Sequence, residues 1–123
     1  MGTGIGIVAS RVANVEVSFV EPNASNQKKS KDFISSWCDK EIQKERLTAE
    51  EKEQVLSRIT FYDSLKSLHD IDFTIEAANE DFVVKAKIFE DLASITPGHA
   101  ILSSNTSSIS LTKLAGVIPP RAH

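Results

Sequence analysis

The sequence predicts an α/β fold, a parallel sheet with helices on both faces. Short β-branched runs alternate with stretches of helical periodicity, the order that crossover connections impose on parallel strands. Polar residues gather just past three of those runs, at Glu21, at Glu76 to Glu80 and at Asn105 to Ser107. Ligands on a parallel sheet bind beyond the carboxyl ends of its strands, so these three positions fall on the functional edge. The mixture of 41% apolar and 25% charged residues over 123 positions is that of one folded domain, and residues 1–123 are read as such.

Each element has its own signal. Behind a glycine-rich start, Ile5, Val8, Val12 and Ala13 recur at helical spacing. Val15, Val17 and Phe19 then alternate with Glu16, Ser18 and Val20 as a short strand, which stops at Glu21-Pro22-Asn23. A long polar helix follows, with Phe33, Ile34, Trp37, Cys38 and Ile42 on one face. Thr48 and Glu51 have the spacing of a capping box, opening a second helix striped by Val55, Leu56 and Ile59. Ile59 to Phe61 reads as a strand, and Leu65 and Leu68 as one helical turn. A further strand covers Asp72 to Ala78, and Val84, Ile88 and Leu92, four apart, mark the helix after it. Past the Pro97-Gly98 turn, Ala100-Ile101-Leu102 reads as a buried strand, and a last helix runs from Leu111 to a stop at Gly116.

Composition excludes several function classes. Net charge is −3, with no basic face to neutralise phosphates, which argues against a nucleic-acid partner. No apolar run reaches the ~18–20 residues of a membrane span. The single cysteine, Cys38, offers neither a disulfide nor metal-ligand spacing, so no metal is expected, and the residue reads as a half-buried small apolar group in a reducing, intracellular compartment.

A dinucleotide site needs a glycine turn that lets backbone N–H groups approach the pyrophosphate, and an acidic residue about 20 positions later for the ribose. Gly2-Thr3-Gly4-Ile5-Gly6 offers the glycines, although no strand precedes them, and Glu21 stands at the right distance. Both also fit plainer roles, a helix start and a turn carboxylate.

The whole pattern resembles the 3-hydroxyacyl-CoA dehydrogenases. The resemblance rests on Met1 to Ile5, Leu47-Thr48-Ala49-Glu50-Glu51-Lys52, Leu56 to Thr60, Ile75-Glu76-Ala77-Ala78-Asn79-Glu80 and Ser104-Asn105-Thr106-Ser107-Ser108-Ile109-Ser110. It covers almost the entire chain, and the serine-rich segment after a strand is its most specific part. It implies a Rossmann-type, NAD-binding domain whose first strand and first two glycines lie upstream, with Gly2 as the third glycine. It implies that Glu21 holds the adenosine ribose, where the family usually has aspartate, and that Glu80 and Lys85 contact the cofactor. Ser107 would lie between nicotinamide and substrate as a catalytic residue bonded to the reacting 3-oxygen. Lys44 would reach the CoA moiety, and Trp37 departs from the family at a neighbouring substrate-contacting position. On the residues alone, Lys44 and Lys85 also fit solvated helix positions, Glu80 a helix cap and Ser107 a turn.

The implied reaction takes a hydride from C3 of a 3-hydroxyacyl-CoA to NAD, in fatty-acid β-oxidation or butanoate metabolism. Its general base in the family is a histidine oriented by a glutamate, expected beyond this chain. His123 lacks the flanking residues of that motif, and His69 and His99 read as surface histidines without partners. The family's following helical domain, which supplies the acyl pocket and the homodimer contact, would also lie outside. The expectation is therefore a domain inactive by itself. With the central strand of a 3-2-1-4-5 sheet absent, unpaired amides at about 1–3 kcal/mol each would leave it marginally stable. The alternative is a non-catalytic form acting as an interaction or NAD-binding module, pairing through open strands. A third reading, an NAD-dependent hydroxy-acid dehydrogenase of other specificity, is disfavoured by the serine-rich loop.

Overall fold

The computed structural model describes residues 2–120. Met1 and residues 121–123, His123 among them, lie outside the described residues. Two compact units divide the chain, residues 3–64 and the residues from 65 onward.

The first unit contains α1 (Gly2–Arg11), β1 (Val17–Val20), α2 (Ala24–Gln43), α3 (Ala49–Ser57) and β2 (Ile59–Tyr62). The expected helix thus begins three residues early, at the glycines. Gly6 explains why glycine is tolerated inside it: a Cβ there would lie 2.0 Å from Cζ of Phe19. That ring stacks on Phe61 with centroids 4.9 Å apart, between strands paired in parallel as Phe19 with Phe61. Ile7, Ile34, Cys38, Leu47 and Val55 form the core, with Phe19, Trp37, Ile42, Ile59 and Phe61 packed against it. Two expected core positions turn outward instead, Phe33 at 56% and Leu56 at 39% exposure. Two polar contacts, one buried and one partly buried, fasten α1. Ser10 Oγ donates to the Val55 carbonyl at 2.9 Å, and the Thr3 and Ser30 hydroxyls meet at 3.0 Å.

The hairpin of α2 and α3 is closed at both ends of its turn. The Thr48–Glu51 capping box is present in both directions, at 3.1 Å each way. At the end of α2 the Glu45 amide donates to Ile42 and the Arg46 amide to Glu41, the Schellman pattern. Glu45 therefore sits at φ 58°, where glycine is normally preferred. Glu45→Gly should raise stability by about 1 kcal/mol, read as a higher urea midpoint. A lower midpoint would mean that the left-handed turn is not populated.

The second unit contains a single 3-10 turn (Leu65–Ser67), β3 (Phe73–Glu76), α4 (Phe82–Ile95), β4 (Ile101–Ser104) and α5 (Leu111–Ala115). β3 and β4 pair in parallel, with Glu76 opposite Ser104. Ala86, Phe89 and Leu114 are the core, joined by Leu102, Ile109, Val117 and Ile118. Two sequence expectations are corrected here. Ala100 is buried but Ile101 is 58% exposed, because alternate strand residues face opposite sides and only Leu102 joins the core. The buried face of α4 is Lys85, Ala86, Phe89 and Leu92, with Val84 turned outward, because Lys85 finds an acidic partner inside.

The α/β class and the parallel pairing agree with the sequence reading. Among the described residues the four strands form two separate two-stranded sheets, β1–β2 and β3–β4. The strand expected to join β1 to β3 is not among them.

Candidate functional site

At the carboxyl end of β1, Glu21 is held in place by the first turn of α2. Asn23 caps that helix by accepting from the Asn26 amide at 3.0 Å. The turn so formed lets Asn26 Nδ2 donate to Glu21 Oε1 at 2.8 Å. One residue on, Gln27 Nε2 donates to the Glu21 carbonyl at 2.7 Å and to the Tyr62 carbonyl at 3.1 Å, bridging the ends of both strands. Among the described residues no hydrogen bond reaches Oε2 of Glu21, so the half-buried carboxylate keeps an oxygen for a hydroxyl ligand. Neither Asn26 nor Gln27 stood out in the sequence, because amides on a polar helix read as solvated surface.

Gly2 opens α1, and two residues on, the space where a Cβ of Gly4 would sit is open. A bare helix start of this kind suits a phosphate held by backbone N–H groups. These features and the Glu21 carboxylate, which can accept from the two hydroxyls of a ribose, fit a dinucleotide. Lys44 is exposed at the far end of α2. At 1.5 Å per residue, that 20-residue helix separates it from Glu21 by roughly 30 Å. The structure does not bring these two together.

The second unit carries the denser constellation. Lys85 and Glu76 are buried together, their side chains 0% and 1% exposed. Lys85 Nζ donates to Oε1 and Oε2 of Glu76 at 2.8 and 2.9 Å and to the Ala78 carbonyl at 3.2 Å, which engages all three of its N–H groups. Glu76 Oε1 also accepts from the Ala78 amide at 2.6 Å, and Oε2 from Ser104 Oγ at 2.7 Å. Ser104 Oγ in turn accepts from the Thr106 amide at 3.1 Å. The Thr106 hydroxyl donates to the Glu80 carboxylate and accepts from the Ile109 amide at 3.1 Å.

Two loops are thereby laced together, one with Glu80 and one with Ser107, both residues exposed. The helix caps nearby are Asp81 and Ser110, so neither Glu80 nor Ser107 is used as one. The expectation that Lys85 lies at a solvated or cofactor-facing surface meets a different arrangement, an ammonium removed from solvent. Glu76 as its partner, and Ser104 as the partner of Glu76, were missed, because a carboxylate at a strand end and a lysine nine residues later carry no pairing signal in one dimension.

The remaining candidates are peripheral. His99 does have a partner, Asp72 Oδ1 at 3.1 Å, on an exposed surface, which corrects the expectation of none. Cys38 is fully rather than half buried, and that burial pushes its thiol up from its ordinary value. Among the described residues no acidic, histidine and cysteine cluster could hold a metal, and no helix is long and apolar enough to cross a membrane.

Comparison with known proteins agrees over nearly the whole chain. The family profile described as 3-hydroxyacyl-CoA dehydrogenase, NAD binding domain, matches residues 1–122. A 3-hydroxybutyryl-CoA dehydrogenase of Bradyrhizobium diazoefficiens is 38% identical over 115 residues, 94% of this chain and 39% of that protein. The glyoxysomal fatty acid beta-oxidation multifunctional protein MFP-a of Brassica napus is 32% identical over 93% of this chain and 16% of its own. The crystal structure of 3-hydroxybutyryl-CoA dehydrogenase from Escherichia coli K12 superposes with a TM-score of 0.92 at 34% identity, over 97% of this chain and 25% of that one. The chain thus spans well under half the length of these relatives. Its fold is of their Rossmann type, and the cofactor expected from the sequence, NAD, is the one for which the family's domain is described.

Proposed function

The chain belongs to the 3-hydroxyacyl-CoA dehydrogenase family through its NAD-binding domain, and from that membership we propose that it holds NAD for the oxidation of a 3-hydroxyacyl-CoA. The observation that carries the proposal is Glu21, a half-buried carboxylate fixed by Asn26 at the carboxyl end of β1. Its charge and two oxygens suit the paired hydroxyls of an adenosine ribose, and they repel the 2′-phosphate of NADP. Gly2 opens α1, and the space beside Gly4 is open for the pyrophosphate.

NAD, when bound, accepts the hydride that leaves C3 of the substrate. Ser107 then supplies a hydroxyl to the 3-oxygen, and Glu80 borders the cofactor from the neighbouring loop. Lys44 serves the CoA moiety from the end of α2, on a surface well away from the ribose carboxylate. The acyl-CoA, the catalytic base and a family-type homodimer belong in this reading to the longer protein that such a domain serves. Fatty-acid β-oxidation is the setting of the Brassica relative, by its name, and is proposed for this chain as well.

Titration of the 123-residue chain with NADH, followed by nucleotide fluorescence, tests the reading. Saturable binding is expected, weakened about 10- to 100-fold by Glu21→Ala, the worth of a charge-assisted hydrogen bond pair. NADPH should bind more weakly than NADH to the parent chain, and Glu21→Ala should narrow that gap. No saturable NADH binding by folded chain would overturn it.

A further inference from the structure

We propose that Lys85, Glu76 and Ser104 form a positioning clamp that fixes the two loops carrying Glu80 and Ser107. The functional value of the clamp rests on the reading of those two residues given above; its existence as a device does not. All three N–H groups of the Lys85 ammonium go to Glu76 and the Ala78 carbonyl. Its effect on the site is therefore exerted through Glu76.

Glu76 ends β3 and reaches both loops. One carboxylate oxygen takes the Ala78 amide, at the start of the loop that leads to Glu80. The other takes the Ser104 hydroxyl, which holds the Thr106 amide one residue before Ser107. Thr106 closes the ring by donating its hydroxyl to Glu80. Each loop therefore has one end bound to the same buried carboxylate. The lysine holds that carboxylate in one orientation and supplies its counter-charge inside the fold, where an unpaired charge would not be tolerated. Hydrogen bonds to a charged acceptor in a site closed to water are stronger than those a neutral side chain would make, so loop position is set more tightly. A structural ion pair alone would not need Ser104. The serine is the link that passes the anchor on to the second loop.

Ser104→Ala is the decisive variant, since it cuts that link and leaves the ion pair intact. Amide hydrogen exchange of the 123-residue chain is the readout, with NADH affinity measured alongside. The Thr106 amide should exchange about tenfold faster in Ser104→Ala, the loss of one hydrogen bond, while the Phe89 amide in α4 keeps its rate. Ser104→Thr, which retains the hydroxyl, should restore the Thr106 rate. Glu76→Gln should free both Ala78 and Thr106, and NADH affinity should fall in both disruptive variants. An unchanged Thr106 rate in Ser104→Ala, or an equal rise at Phe89, overturns the clamp. Selective release of Thr106 in a chain that binds no NADH would leave the clamp standing and sink the functional reading instead.

Discussion

Glu76→Ala is expected to destabilise the chain by about 3–5 kcal/mol, because it strands a fully buried ammonium without its counter-charge. Lys85 would keep one acceptor, the Ala78 carbonyl, against the three it has now. Against a total stability of about 5–15 kcal/mol for a domain, that loss moves a large fraction of the molecules towards the unfolded state. Urea denaturation followed by far-UV circular dichroism measures it. The double variant Glu76→Ala/Lys85→Met should recover much of the loss, since the cost lies in the unpaired charge and not in the absence of the pair. A loss below about 1 kcal/mol in the single variant, the size of an exposed ion pair, would mean that water reaches Lys85 and that the pair is not buried in solution.

Two glycines of α1 should respond to the same substitution with opposite signs. A Cβ at Gly6 would fall 2.0, 2.6 and 2.9 Å from three carbons of the Phe19 ring, whereas at Gly4 it would meet nothing within 4 Å. The ring cannot withdraw freely, being stacked on Phe61 and packed against the core of its unit. Gly6→Ala therefore costs about 1–3 kcal/mol of overpacking, which outweighs the gain in helix propensity. Gly4→Ala keeps only that gain, about 0.5–1 kcal/mol. Thermal midpoints should separate by several degrees, downward for Gly6→Ala and upward for Gly4→Ala. Movement in the same direction would show that α1 does not sit on Phe19 as described.

Much of this protein was determined by local sequence alone. Element order, the capping box of Thr48 and Glu51, the stop at Gly116 and the parallel pairing all follow from periodicities and caps that span a few residues. The place of Glu21 at the end of β1 was legible for the same reason, as an acidic residue at the end of an apolar run. The family could be read because its motifs keep their order and spacing along the chain.

Tertiary structure decided which faces turn inward and which polar groups meet. Val84 and Lys85 are neighbours on one helix, and apolar periodicity favours burying Val84. Lys85 is the one buried, because Glu76 and the Ala78 carbonyl lie within 3.2 Å and compensate its desolvation. The same holds for Ser104, which reads as one serine among several until β3 pairs with β4 and sets it beside Glu76. Helical and strand periods record only how a segment meets an apolar core. A buried charge depends on a partner from another segment, and that partner is known only once the strands have found their register.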